Sequence, residues 1–139
     1  MNELQRTLNW FELAVPNPTE KNQSVQVGCW AEECGEVLTA LGHNPKFDTL
    51  EDIAWDYKTG ADTYLGHKQR IELLDGICDV IVTAVGIAHM YGMDIVGAMS
   101  EVNRSNFSKF VDGKPVFNEQ GKIAKPETYS PPNFHTILS

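Results

Sequence analysis

Basic residues are scarce in this chain. Eleven Lys and Arg stand against 19 Asp and Glu, for a formal net charge of −8. So acidic a surface excludes a general binder of nucleic acid or of anionic membranes. An anionic substrate would have to be met by metal ions or by a local cluster of Lys and Arg. Cysteine is also sparse: Cys29, Cys34 and Cys78 are all there is. The odd count and the lack of any CxxC pair or Cys/His array argue against a disulfide framework and against zinc. All three lie in helical, mostly apolar stretches and read as free thiols of a reducing compartment. Long hydrophobic runs are missing too. Val80–Ala88 is apolar but far short of the about 20 residues that span a bilayer. The N-terminus is amphipathic from the outset, unlike a signal peptide. The expectation is a soluble, cytoplasmic protein, and at 139 residues a single domain, 1–139, with room for a proper core.

Helical periodicity is what the chain does have. Asn2 to Val15 carries Leu4, Leu8 and Phe11 at helical spacing and is stopped by Pro16 and Pro18. Trp10 is assigned to the core. Thr19 or Asn22 can cap a second helix, taken as Val27 to Leu41 and ended by Gly42. Thr49 can cap a short helix from Leu50 to about Tyr57, with Asp52 in a box-like position. The polar insert around it, 43–66, is either a place for substrate contacts or a passive connection. The longest helix, Ile71 to Met90, is apolar nearly all round and is expected to be central and largely buried. Gly92 ends it, and a last helix starting near Met93 and Asp94 carries Ile95, Met99 and Val102. From Val111 the character changes. Asp112-Gly113 and Gln120-Gly121 are turn signals, Val116-Phe117 and Lys122-Ile123 can pair as a hairpin, and the proline-containing end is a tail lying on the body or on a partner subunit. The fold class is all-α: four main helices, a short helix and a C-terminal appendage at 111–139.

The acids are placed unusually. Glu72, Asp75 and Asp79 fall on one face of the long apolar helix, and Glu33 and Glu36 share a face of the second. Unpaired carboxylates among apolar residues are costly, so something cationic should meet them. Gly35, between the two glutamates, would admit a helix or ligand closely. Two such helices side by side would gather four or five carboxylates, an all-oxygen set for which Mg²⁺ is the default ion. The bland alternative is a pair of solvated acidic faces. His43, His67, His89 and His135 are scattered, and His89 reads as a satisfied core histidine. There are too many acids for a glycosidase pair to be the simplest account. Metal-assisted attack of water on a phosphoryl centre fits better. Lys109 and Arg104, with Asn103 and Asn106 as neutral donors, are candidates to hold distal phosphates.

Those residues resemble a known group. Glu33-Cys-Gly-Glu36, then Asp79 followed by Val-Ile-Val, are similar to the Glu-x-x-Glu and Glu-x-x-Asp motifs of the all-α nucleoside triphosphate pyrophosphohydrolases, the MazG-like and phosphoribosyl-ATP pyrophosphohydrolase-like group. The glutamate expected before the last Asp falls on Gly76. Asp75-Gly-Ile-Cys-Asp79 looks like a variant of phage and bacterial members, while Glu72-Leu-Leu-Asp75 satisfies the motif one turn earlier, so Asp75 and Glu72 both stand as the fourth ligand, with Asp75 favoured. Glu101-Val-Asn-Arg-Ser-Asn-Phe-Ser-Lys-Phe, Asp112-Gly-Lys-Pro and Gly121-Lys-Ile-Ala-Lys-Pro resemble the C-terminal part of phage-type members. The resemblance implies a MazG-like helical bundle. It implies hydrolysis of a nucleoside triphosphate, with dGTP or dATP as candidates, to monophosphate and pyrophosphate. It implies two or more Mg²⁺, or Mn²⁺ in their place, on Glu33, Glu36, Asp75 or Glu72, and Asp79, with Glu33 a candidate for the water's proton. Lys109, Asn106, Asn103 and Arg104 would contact phosphate, and the assembly would be a homodimer or homotetramer. A dUTPase-like or phosphoribosyl-ATP-specific enzyme, and a non-catalytic metal-binding helical module, are the alternatives.

Overall fold

The computed structural model describes residues 2–119 and 121–138. Its helices are α1 Glu3–Ala14, α2 Glu20–Ala40, α3 Leu50–Lys58, α4 His67–Met90 and α5 Ile95–Phe107. The all-α expectation holds. The caps are those the sequence offers. Thr19 Oγ1 accepts from the Asn22 amide at 3.2 Å while Asn22 Oδ1 accepts from the Thr19 amide at 2.9 Å, a reciprocal box that starts α2 two turns earlier than its apolar periodicity suggests. Thr49 and Asp94 likewise cap α3 and α5. α4 begins before Ile71 because Gln69 Oε1 accepts the Gly66 amide at 2.9 Å and closes the first turn. Gly42 at φ 93° and Gly92 at φ 68° turn the chain out of α2 and α4 in the left-handed conformation that glycine tolerates.

α2 and α4 form the backbone of the molecule and run antiparallel. Gln23 Nε2 donates to Met90 O at 3.2 Å and Gln26 Nε2 to Thr83 O at 3.1 Å, while further along Val37 packs on Gly76. The approach is tight at the two glycines of α4. A Cβ on Gly76 would lie 3.0 Å from Val37 Cγ2, and one on Gly86 would collide with Phe11 and Gln26. Gly35 has no such role, since a Cβ there would meet only Pro45, at an ordinary 3.9 Å.

The core sits at one end. Phe11, Val85 and Met90 are buried, with Leu4, Leu8, Val15 and Ile95 packed around them. His89 belongs to this cluster as a satisfied core histidine, with Nε2 at 2.6 Å from Val15 O and its ring stacked on Phe11. Two expectations of burial are corrected. Trp10 is 61% exposed and touches the core only edge-on, through Phe11. Apart from Gly76, α4 is buried only toward its C-terminus: Ile71, Leu74, Ile77 and Ile81 are exposed, as are Val27 and Trp30 of α2. The reason is that α1 and α5 cover α4 only near Val85–Met90, while its first half is covered on one side alone, by α2 at Gly76 and Val37.

Past α5 the described residues hold no strand, only two antiparallel bridges. Val111 pairs with Lys114 around Asp112 and Gly113, both at positive φ, and Phe117 pairs with Ile123. The second is the expected hairpin, although Gln120 of its turn lies outside the described residues, as does Ser139 at the end of the tail. The tail lies on its own chain. Ser108 Oγ accepts the Ser130 amide at 2.8 Å, Thr128 Oγ1 donates to Ser108 O at 3.1 Å, and Phe134 and Leu138 reach the α4–α5 junction. No helix among the described residues is long and apolar enough to cross a membrane.

Candidate functional site

The acids gather along one side of the α2–α4 pair. Glu33 and Glu36 lie one turn apart on α2, and Asp79 approaches them from α4. The pKa of Glu33 is raised from its usual 4.5, first by burial and then by the negative charges of Glu36 and Asp79. Its Oε2 is shut off from solvent and has no hydrogen-bond partner among the described residues. One turn on, Glu36 also lines a cavity of about 380 Å³ with Thr39, Ala40, Glu72, Asp75 and Gly76. Both alternatives for the fourth acid are therefore at this cavity. Glu72 is held by Lys68 at 3.6 Å, whereas no ion pair engages Asp75 among the described residues. Glu72 and Asp75 are exposed, so the cost expected for carboxylates on a buried helix falls on Glu33.

Gly76 stands where the resembled motif carries glutamate, and the packing explains it. This position is buried and so close to Val37 that a side chain there would have to displace the valine's Cγ2, 3.0 Å from an added Cβ. The flanking acids at 75 and 72 point to the cavity instead.

The donor set is all carboxylate oxygen, and one of those oxygens is buried without a partner beside two like charges. Such a set fits a hard divalent cation. The side chains are an acidic strip rather than a closed shell: no three His, Cys, Asp or Glu converge tightly enough to hold an ion among the described residues.

None of the candidates on or just after α5 lines this cavity. Lys109 Nζ donates to Asn106 Oδ1 at 3.1 Å and sits 5.7 Å from the Tyr129 ring centre. Asn103 is exposed. Arg104 is already committed. It forks onto Glu101 at 2.8 and 2.7 Å and donates to Pro131 O at 3.1 Å, while Glu101 Oε1 accepts the Asn133 amide at 2.8 Å. The pair pins the tail to α5, a role that sequence reasoning missed because its partners lie about 30 residues downstream.

This pinning has a pH signature. The Arg104 hydrogen bonds, then the Asn133 amide, lower the Glu101 pKa from 4.5 to about 2. A depressed carboxylate contributes stability that is complete above 4.5 and is lost as pH falls through about 2. Protection of the Asn133 amide from hydrogen exchange should therefore fall across that window, and Glu101→Ala, which removes the acceptor, should abolish it at neutral pH. Unchanged Asn133 protection in Glu101→Ala would contradict the assignment.

No family model matches the chain, and no curated protein matches it.

Proposed function

We propose that this protein is a metal-dependent nucleoside triphosphate pyrophosphohydrolase built on a MazG-like bundle. It would hydrolyse a (deoxy)nucleoside triphosphate, with dGTP and dATP the leading candidates, to the monophosphate and pyrophosphate in the cytoplasm. The observation that supports it most is the unpartnered Oε2 of Glu33, buried against Glu36 and Asp79 on antiparallel helices. A desolvated carboxylate oxygen beside two further carboxylates is relieved either by a proton or by a cation, and a divalent cation would relieve all three acids at once.

Glu33, Glu36 and Asp79, with Asp75 or Glu72, would hold two or more Mg²⁺, or Mn²⁺ in their place. When bound, such ions neutralise polyphosphate and acidify a water beside it. The chain's own residues supply the rest. Glu33, whose pKa is raised by burial and by the charges of Glu36 and Asp79, is suited to receive a proton from the attacking water. Lys109, with Asn106 beside it, is suited to stabilise charge on the leaving oxygens. Asn103 is a further neutral donor, and Arg104 acts through the tail.

Since Lys109 and the acids stand on separate parts of the chain, the reading has Lys109 serving the site of a second copy. The exposed Ile71, Leu74, Ile77 and Ile81 of α4 are the surface for that copy, in a homodimer or homotetramer. Sedimentation at micromolar concentration should show no monomer peak, and a monomer alone would refute the assembly.

The activity is tested with Mg²⁺ and a panel of nucleoside triphosphates including dUTP and phosphoribosyl-ATP. Monophosphate and pyrophosphate are the expected first products. Diphosphate plus orthophosphate would overturn the reading, and metal-dependent stabilisation without any turnover would leave a non-catalytic helical module.

A further inference from the structure

Two lysines converge on one tyrosine at the end of α5. Lys109 Nζ lies 5.7 Å and Lys125 Nζ 5.2 Å from the centre of the Tyr129 ring. Neither lysine makes an ion pair among the described residues, in a chain whose net charge is −8. Two ammonium groups drawn to one ring repel each other. A ring face holds an exposed ammonium weakly, far less well than a phosphate oxygen would.

The place is held by the fold rather than by chance. Tyr129 closes a turn on Pro126, its amide donating to Pro126 O at 2.9 Å. On either side, Thr128 and Ser130 are bonded to Ser108, the residue before Lys109. Ser108 Oγ in turn donates to Ser105 O at 2.6 Å, and Ser105 is buried. Tyr129 is thereby fixed beside the base of Lys109. Lys125, on the other arm of the turn, is brought to the same ring from 16 positions away. Asn106, accepting from Lys109, holds that ammonium near the ring.

We propose that Lys109, Lys125 and Tyr129 form a binding site for a diphosphate group, either free pyrophosphate or the distal phosphates of a nucleoside triphosphate. The two ammoniums supply the charge on flexible stems, and Tyr129 holds them together while no anion is bound. This deepens the reading above by adding Lys125 and Tyr129 to the phosphate contacts, yet it does not depend on turnover.

Calorimetric titration of the full chain with pyrophosphate in EDTA tests it without catalysis or metal. The wild type should bind, with affinity falling as salt rises. Lys125→Ala should weaken binding about tenfold or more, the usual loss for one charge-assisted hydrogen bond. Lys125→Arg should restore most of it, and Lys114→Ala, a lysine outside the cluster, should leave it unchanged. Lys125 is exposed, so circular dichroism should show the same fold in every variant. Repeating the titration with a non-hydrolysable nucleoside triphosphate separates the two sources: equal affinity identifies the diphosphate group alone as the ligand. Equal binding by wild type and Lys125→Ala, or an equal loss in Lys114→Ala, would overturn the proposal. Failure to hydrolyse any nucleotide, with pyrophosphate binding intact, would sink the enzymatic reading and leave this site standing.

Discussion

Glu36→Gln and Asp79→Asn should each lower nucleoside triphosphate hydrolysis by at least about 10²-fold while the helices survive. The two side chains bring negative charge to the half-buried Glu33 carboxyl, from α2 and from α4. A neutral amide there keeps the shape and removes the charge that a hard cation requires. Electrostatic groups of this kind contribute about 10²–10³ to rate when lost singly. Stability should move the other way. A carboxyl with a raised pKa adds stability that is full below 4.5 and is lost as pH rises through its folded value, so at neutral pH an ionised Glu33 opposes folding. Glu33→Gln should thus melt higher than the wild type without metal, and should gain less from added Mg²⁺. Melting curves with and without Mg²⁺, beside initial rates, read both effects. Wild-type rates in both Glu36→Gln and Asp79→Asn would end the case for this site.

Gly86→Ala should be the most damaging of the glycine substitutions. The added methyl would collide with the Phe11 ring and with the Gln26 amide. Neither neighbour can give way freely: Phe11 is 4% exposed in the centre of the core, and Gln26 is bonded to Thr83 O at 3.1 Å. Overpacking of this kind costs about 1–3 kcal/mol. That outweighs the ~1 kcal/mol by which alanine is the better helix former. Gly28→Ala is the matched control, because it sits within α2 with nothing within 4 Å of the new methyl and should stabilise by up to ~1 kcal/mol. Urea unfolding of the two variants should give shifts of opposite sign. A Gly86→Ala protein as stable as Gly28→Ala would show that α1 and α2 do not close on α4 at this point.

The sequence by itself determined the helices and where they stop. Thr19 with Asn22, Thr49 with Asp52, Asp94, and glycines 42 and 92 act on backbone groups within a turn of themselves, so their effect is legible without the rest of the chain. Where periodicity was used alone, α2 and α4 were read too short, because their first turns are polar and held by caps. The clustering of acids by face was also legible, since helical spacing is a local property. Which way those faces turn was decided by tertiary structure. A helix as apolar all round as α4 carries no preferred direction, and only the cover given by α1 and α5 near Val85 chose its buried end. The same docking made Gly76 a contact with Val37 and cut one carboxylate oxygen of Glu33 off from water. Arg104 with Glu101, and Tyr129 with its two lysines, take their meaning from where the tail folds back. Contacts within a turn are set by neighbouring residues. Contacts between elements depend on the rotation and depth at which helices pack, which many distant side chains determine together.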